Sequence, residues 1–394
     1  MPALEKSVTR NLPAQPARGL RQQGESLGQA QGNHRPERLR DLEGDGRYQA
    51  FMNVRFFHNL DWLRGIAILM VLFHHVPQVG GVLRVFQANG RYGVSLFFAL
   101  SGFLICSLLL REERKNGHID LKNFYIRRAL RIFPLYYAVL AFYAVLVFAL
   151  DQFSPSNQAL FREKLAGYLF YFSNVVAAVH VGPFFFAWSL AAEEQFYLAF
   201  GLLMRKLRRG ALAGLLLGLL SVKVLFFRVG WADDHLLAWR IIFSYEEPIL
   251  LGVLLAFALH TRRGFRIGWF LSRPAVLWTL GAVLAVLLGG VQFHDQRRLE
   301  TQLLYLVMTL VIGGCCLRPA VPILGNPLLD HIGKISYGIY LLHLLVIIAV
   351  GRFISTDPWA VFLFSTAGTV ILESLVYRYF EHPILRYKEK FSCR

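Results

Sequence analysis

The chain has 394 residues, 55% of them hydrophobic and 17% charged, and its mean hydropathy is +0.44. This excludes an ordinary soluble domain, because apolar runs near the bilayer-spanning length of about 20 residues recur along it. A formal net charge of +17 would point to nucleic acid in a soluble chain. Here the basic residues stand between apolar runs, as the positive-inside bias requires, so lipid is the expected environment and no nucleic-acid partner is expected.

Residues 1–52 are rich in Pro, Gln, Gly and Arg and have no apolar periodicity. They read as a disordered cytoplasmic tail. They contain no apolar core of the kind a signal peptide needs, so no cleavage is expected. The first span is predicted at about 57–79 and holds LDWLRGIAILMVLFHHV (60–76). A helix advances about 1.5 Å and about 100° per residue, so Arg64 and His75 stand about 16 Å apart on nearly one face. That spacing suits a long, polar-ended substrate threaded along the helix. It also suits an arginine snorkelling to the lipid interface below a histidine that caps the other end.

A second span is predicted at about 91–110, followed by REERKNGHIDLKNFYIRRALR, the most basic loop of the chain. The orientation rule puts this loop in the cytoplasm. The first helix then runs outward, with Arg64 towards the cytoplasm and His75 towards the outer side. Arg128 and Arg131 are one helical turn apart at the start of a third span, about 132–150. There they could hold phosphates of a soluble donor, or act as interfacial anchors.

Residues 160–182 are apolar but interrupted by Arg162, Glu163, Lys164 and Asn174. They are expected to lie along or dip into the outer surface, since a full crossing would put MRKLRRG (204–210) outside. The remaining spans are predicted at about 184–203, 211–228, 240–259, 269–290, 302–317, 332–351 and 359–379. The cluster DQRR (295–298) disagrees with this arrangement. The expected fold is all-α: a polytopic membrane bundle of about ten transmembrane helices with both termini cytoplasmic. The membrane domain covers 53–388 and a short tail covers 389–394.

Ionisable groups inside spans are costly and mark functional paths. In AWSLAAEEQFYL (187–198), Ser189, Glu193 and Tyr197 follow a four-residue spacing and share a face. In this topology Glu193 falls near the depth of His75, where a carboxylate could orient the imidazole; the alternative is an interhelical polar clamp. In ISYGIYLLH (335–343), Ser336, Tyr340 and His343 share a face. His343 could line a path or bond a neighbouring helix. Arg240 opens a span whose first turns carry Tyr245, Glu246 and Glu247. Glu381, in YRYFEHP, ends the last span. The cysteines (106, 315, 316 and 393) have no CxxC spacing and no metal-ligand cluster is visible.

The segments LDWLRGIAILMVLFHH, GVSLFFALSGFLI, FYIRRALRIFPLYY, WSLAAEEQFYL, ISYGIYLLH and YRYFEHP occur in one order. Together they resemble the acyltransferase-3 family of integral-membrane acyltransferases, best known from bacteria, over residues 58–385. The resemblance implies transfer of an acetyl or related group from acyl-coenzyme A to hydroxyls of glycans, lipid-linked oligosaccharides or secreted small molecules. It implies that His75 is catalytic, and its Arg-x-x-Arg and Trp-Ser-Leu-x-x-Glu patterns fall on Arg128 and Arg131 and on Trp188, Ser189, Leu190 and Glu193. Depth and chemistry then suggest donor phosphates near Arg64, Arg128 and Arg131, and Glu193 either orienting the imidazole or binding the acceptor. Trp188, Ser189, Arg240, Tyr337, Tyr340 and His343 are then candidates for substrate contact. Acyl-coenzyme A is a substrate and no permanently bound cofactor or metal is expected. A homo-oligomer is compatible with this reading. The location expected is the bacterial inner membrane. Two departures stand out: Ser95 where many relatives carry an acid, and Phe186 where many carry a histidine. The rival reading, a transporter or flippase of a glycan or lipid, is weakened by the lack of an internal repeat.

Overall fold

A computed structural model of the chain describes residues 45–54, 57, 59–176, 181–229, 246–290, 299–317 and 326–391. The chain separates into two units, 1–50 and 51–394. Of the first, residues 45–50 are described, and they are helical where a disordered tail was expected. All that follows concerns the second unit.

Every regular element among the described residues is helical. In chain order they are α1 (Asn59–His75), α2 (Leu83–Asn89), α3 (Tyr92–Asn116), α4 (Leu121–Phe148), α5 (Pro155–Leu169), α6 (Ser173–Val176), α7 (Ala187–Lys206), α8 (Arg209–Val229), α9 (Glu247–Leu259), α10 (Arg262–Leu271), α11 (Pro274–Gly290), α12 (Leu299–Leu317), α13 (Pro327–Lys334), α14 (Ser336–Phe353) and α15 (Pro358–Val376). A π-helical turn, Tyr377–Glu381, leads into α16, His382–Lys388, and a final 3₁₀ turn, Glu389–Phe391.

Many boundaries are written locally. Proline at the first helical position follows an oxygen-bearing cap at Ser154, Asn326 and Asp357. That side chain accepts an otherwise orphaned backbone N–H, and proline loses nothing there because its missing donor would be unpaired anyway. α3 ends at Gly117, whose φ of 76° a side chain would resist. In the segment expected to lie along or dip into the outer surface, α5 stops at Leu169 and Tyr171 takes φ 56° before α6 begins.

Among the described residues, five helices are long and apolar enough to cross a bilayer: α3, α4, α12, α14 and the run from Pro358 to Tyr387. α9 and α10 together would make a sixth, bent by 112°. This is a membrane protein, built as a helix bundle.

Small residues set how closely the bundle packs. Gly102 of α3 lies on the Ile249 backbone of α9, and Gly252 of α9 lies on the Ala99 carbonyl of α3. The two helices thus press glycine to backbone in both directions. Gly333 of α13 repeats the arrangement on the Asp61 carbonyl of α1, and Gly65 answers it against Leu329. In lipid no hydrophobic force draws helices together, so close backbone approach and its dispersion gain must do so. Gly93 of α3 lies likewise on the Ala67 carbonyl of α1, so α1 packs against both α3 and α13, with α14 alongside.

Candidate active site

α1, α3, α4, α7 and α14 surround a cleft of about 700 Å³, counting its open mouth. Each wall contributes polar groups: Arg64 from α1, Ser101 from α3, Arg128 and Arg131 from α4, Ser189, Glu193 and Tyr197 from α7, and Ser336, Tyr337 and Tyr340 from α14. The helical spacings explain the grouping. Arg128 and Arg131 share a face of α4, and Ser189, Glu193 and Tyr197 share a face of α7.

One end of the cleft is charged. Arg64 pairs with Asp61 at 3.8 Å. The Arg128 guanidinium lies 4.8 Å from the centre of the Tyr197 ring. Ser101 Oγ donates to Glu193 Oε1 at 2.8 Å. Three guanidiniums face one carboxylate in this lining, so the cleft favours an anion.

At the other end Tyr340 separates the cleft from two imidazoles that lie behind its wall. Ser189 Oγ and Tyr340 Oη are 2.7 Å apart, and both hydroxyls reach the Phe186 carbonyl, at 3.2 and 3.1 Å. Three residues beyond Tyr340, His343 is fully buried. Its Nδ1 lies 2.6 Å from the Tyr340 carbonyl oxygen. Its ring centre is 4.9 Å from that of His75. His75 Nδ1 lies 2.8 Å from the Val71 carbonyl oxygen. A carbonyl only accepts, so Nδ1 carries the proton in both rings and Nε2 presents a lone pair. For His75 this is the tautomer a general base needs.

The sequence reading paired His75 with Glu193, and the structure corrects it. Glu193 is held by Ser101, among the arginines; the ring that meets His75 from across the bundle is His343. Ser189, one turn earlier on α7, is the residue at the histidine end, and one turn is about 5.4 Å. Trp188 packs edge-on against Phe98, 6.0 Å away, and is not part of the cleft wall. Tyr337 does line it, with its hydroxyl donating to the Ile132 carbonyl at 2.7 Å. Arg240 lies outside the described residues, as do Tyr245 and the DQRR cluster. Phe186, at the position where the resemblance implied a histidine, packs 5.7 Å from both Tyr340 and His343.

Sequence reasoning passed over Ser101 and Glu373. Ser101 sits in an apolar run and carries no sign of its bond to Glu193. Glu373 did carry a sign, as a lone acid within TVILESLV. It is fully buried, and its carboxyl group fills the space left by the missing side chain of Gly338.

Comparison with known proteins completes the picture. The acyltransferase-3 family model, described as an acyltransferase domain, matches residues 57–378. A protein of Staphylococcus aureus strain COL, named provisionally as an O-acetyltransferase, is 28% identical over 367 residues, covering 85% of this chain and 58% of the relative. The O-acetyltransferase OatA of Staphylococcus aureus strain NCTC 8325 is 28% identical over 378 residues, covering 87% of this chain and 60% of the relative. The chain thus spans about 60% of the length of these curated relatives. No solved structure gives a significant match. With the family model matching most of the chain, with the arginine pair and the WSLAAE face lining one cleft, and with the first-helix histidine behind its Tyr340 wall through His343, the chain belongs to the acyltransferase-3 family.

Proposed function

We propose that this chain is a membrane O-acyltransferase that moves an acyl group, most simply acetyl, from cytosolic acyl-coenzyme A to a hydroxyl. The acceptor is a glycan, a lipid-linked oligosaccharide or a secreted small molecule presented on the far side of a bacterial inner membrane. The observation that carries this is a cleft with three arginines at one end and Ser189 and Tyr340 at the other, with His343 and then His75 packed behind Tyr340. A donor with an anionic head and a thin thioester arm has the shape and charge for such a cleft. Arg64, Arg128 and Arg131 would hold its phosphates, and Tyr337, Tyr340 and Ser189 would line the path of the arm. His75 Nε2 would take the acceptor proton as the oxygen attacks the thioester carbonyl. Ten helices with both termini cytoplasmic give the matching topology: the basic loop between α3 and α4 and the arginines lie inside, and His75 lies outside.

The test uses membranes containing the full chain and radiolabelled acetyl-coenzyme A. Alkali-labile label should accumulate in glycan or lipid, and His75→Ala should lower its rate by about 100-fold or more, the low end of general-base contributions. Transfer that survives in His75→Ala overturns the mechanism. Movement of a glycan or lipid with no donor consumed would favour the transporter reading instead.

A further inference from the structure

We propose that His343 is the positioning residue of His75, a second imidazole that shares the proton His75 removes. This rests on the acyltransferase reading above and goes beyond it, since that reading leaves His75 to work alone. The two rings come from helices 268 positions apart in the chain. Their centres are 4.9 Å apart with the planes at 67°. At that separation two imidazoles can be joined by one N–H···N bond of about 2.9 Å once their nitrogens turn towards each other.

At rest that bond cannot form. Both Nδ1 protons are engaged by backbone carbonyls, Val71 for His75 and Tyr340 for His343, which leaves each Nε2 with a lone pair and no proton to share. His343 Nε2 is buried and has no hydrogen-bond partner among the described residues. Buried side-chain polar atoms are rarely left so. A lone pair held in that state becomes useful only when its neighbour gains a proton. His75 Nε2–H can then donate to His343 Nε2, and a group unsatisfied in the ground state is satisfied as charge develops. Interactions of this kind, stronger in the transition state than before it, are the ones that raise kcat.

The step balances without any further reactant. The acceptor O–H proton goes to His75 Nε2, and the oxygen forms a bond to the thioester carbonyl carbon. The C–S bond breaks, and the proton held between the two imidazoles passes to the departing thiolate. The other groups around the pair are consistent with this assignment. His74 also touches His75, with ring centres 5.0 Å apart, and its Nδ1 is likewise engaged by a carbonyl, that of Gln87, but it is only partly buried, so its Nε2 is not a buried orphan as that of His343 is. Phe186 and Phe185 close the remaining sides with apolar rings, 5.7 Å from His343 and 6.1 Å from His75. Tyr340 turns its hydroxyl towards Ser189 and Phe186.

The experiment compares His343→Ala, His343→Asn, His74→Ala and His75→Ala as full-length protein in membranes, with radiolabelled acetyl-coenzyme A as donor. His343→Ala should lower kcat about 100-fold while the KM for acetyl-coenzyme A stays within about twofold. Imidazole added to His343→Ala should restore at least a tenth of the lost rate, because it refills the cavity with the missing acceptor. His343→Asn keeps a polar side chain of similar reach and serves as the measured variant if the alanine form does not fold. His74→Ala should stay within about threefold of wild type. The proposal is overturned if both His343 variants keep kcat within threefold, if the loss appears equally in donor KM and ignores imidazole, or if His74→Ala is the inactive variant. Inactive His75→Ala beside normal His343 variants removes this inference alone. Active His75→Ala removes the acyltransferase mechanism beneath it.

Discussion

Ser189 and Glu193 stand one turn apart on the same face of one helix, yet they face opposite ends of the cleft. Ser189 meets Tyr340 near the imidazoles, and Glu193 meets Ser101 among the guanidiniums. Spacing placed both residues on the right face, but it did not set how far α7 is inserted relative to α1. The error in pairing Glu193 with His75 is therefore an error of depth, not of direction. At this scale the donor end can be tested separately from the base. Arg128 carries a charge in the cleft wall, and a charge-assisted hydrogen bond contributes about 1.5–3 kcal/mol. Arg128→Ala should therefore raise the KM for acetyl-coenzyme A about tenfold or more, with a smaller change in the KM for the acceptor. Initial rates with each substrate varied in turn decide this, and the reverse pattern would assign Arg128 to the acceptor.

At the scale of elements, each span predicted from hydropathy overlaps a helix among the described residues, but only five of these helices, or six with the bent pair, are long and apolar enough to cross, against the ten expected. α1 is 17 residues long and α9 is 13, both short for a membrane crossing of about 20. α9 turns sharply into α10 where a simple loop was expected. Chemical logic places the glycines where backbones must meet. Gly252→Ala would drive a methyl group into the Ala99 carbonyl, which cannot move aside without separating α3 from α9. Overpacking of this kind costs about 1–3 kcal/mol. Gly252→Ala should lower the thermal unfolding midpoint in detergent, followed by loss of the monodisperse peak on size exclusion. Gly281→Ala, which meets no neighbouring atom, should leave it unchanged. Equal behaviour of the two variants would mean that the α3–α9 contact is looser than described.

For the whole molecule, orientation in the bilayer decides from which side each substrate arrives. The basic residues between α3 and α4 predict that this loop is cytoplasmic, and α4 then delivers Ser154 to the opposite side. Cys106, Cys315 and Cys316 are buried, so a chain with Cys393→Ser offers a quiet background for labelling. Lys115→Cys should react with an impermeant maleimide only in inverted membranes, and Ser154→Cys only in intact cells. Labelling of both from one side would remove α4 as a crossing and with it the scheme of a donor and acceptor arriving from opposite faces.

The class of protein, the order of the helices and most of their starts were legible in the chain itself. Hydropathy, capping residues and prolines act over a few positions, and their effects do not wait for tertiary contacts. The face on which each polar group lies was equally legible, because 3.6 residues per turn is a local constant. What only the packed bundle decided is which of those groups meet. His75 with His343, Ser101 with Glu193 and Gly338 with Glu373 each join positions far apart in sequence. Their meeting depends on the relative depth and rotation of helices, set by glycine-to-backbone contacts that no single stretch of sequence contains.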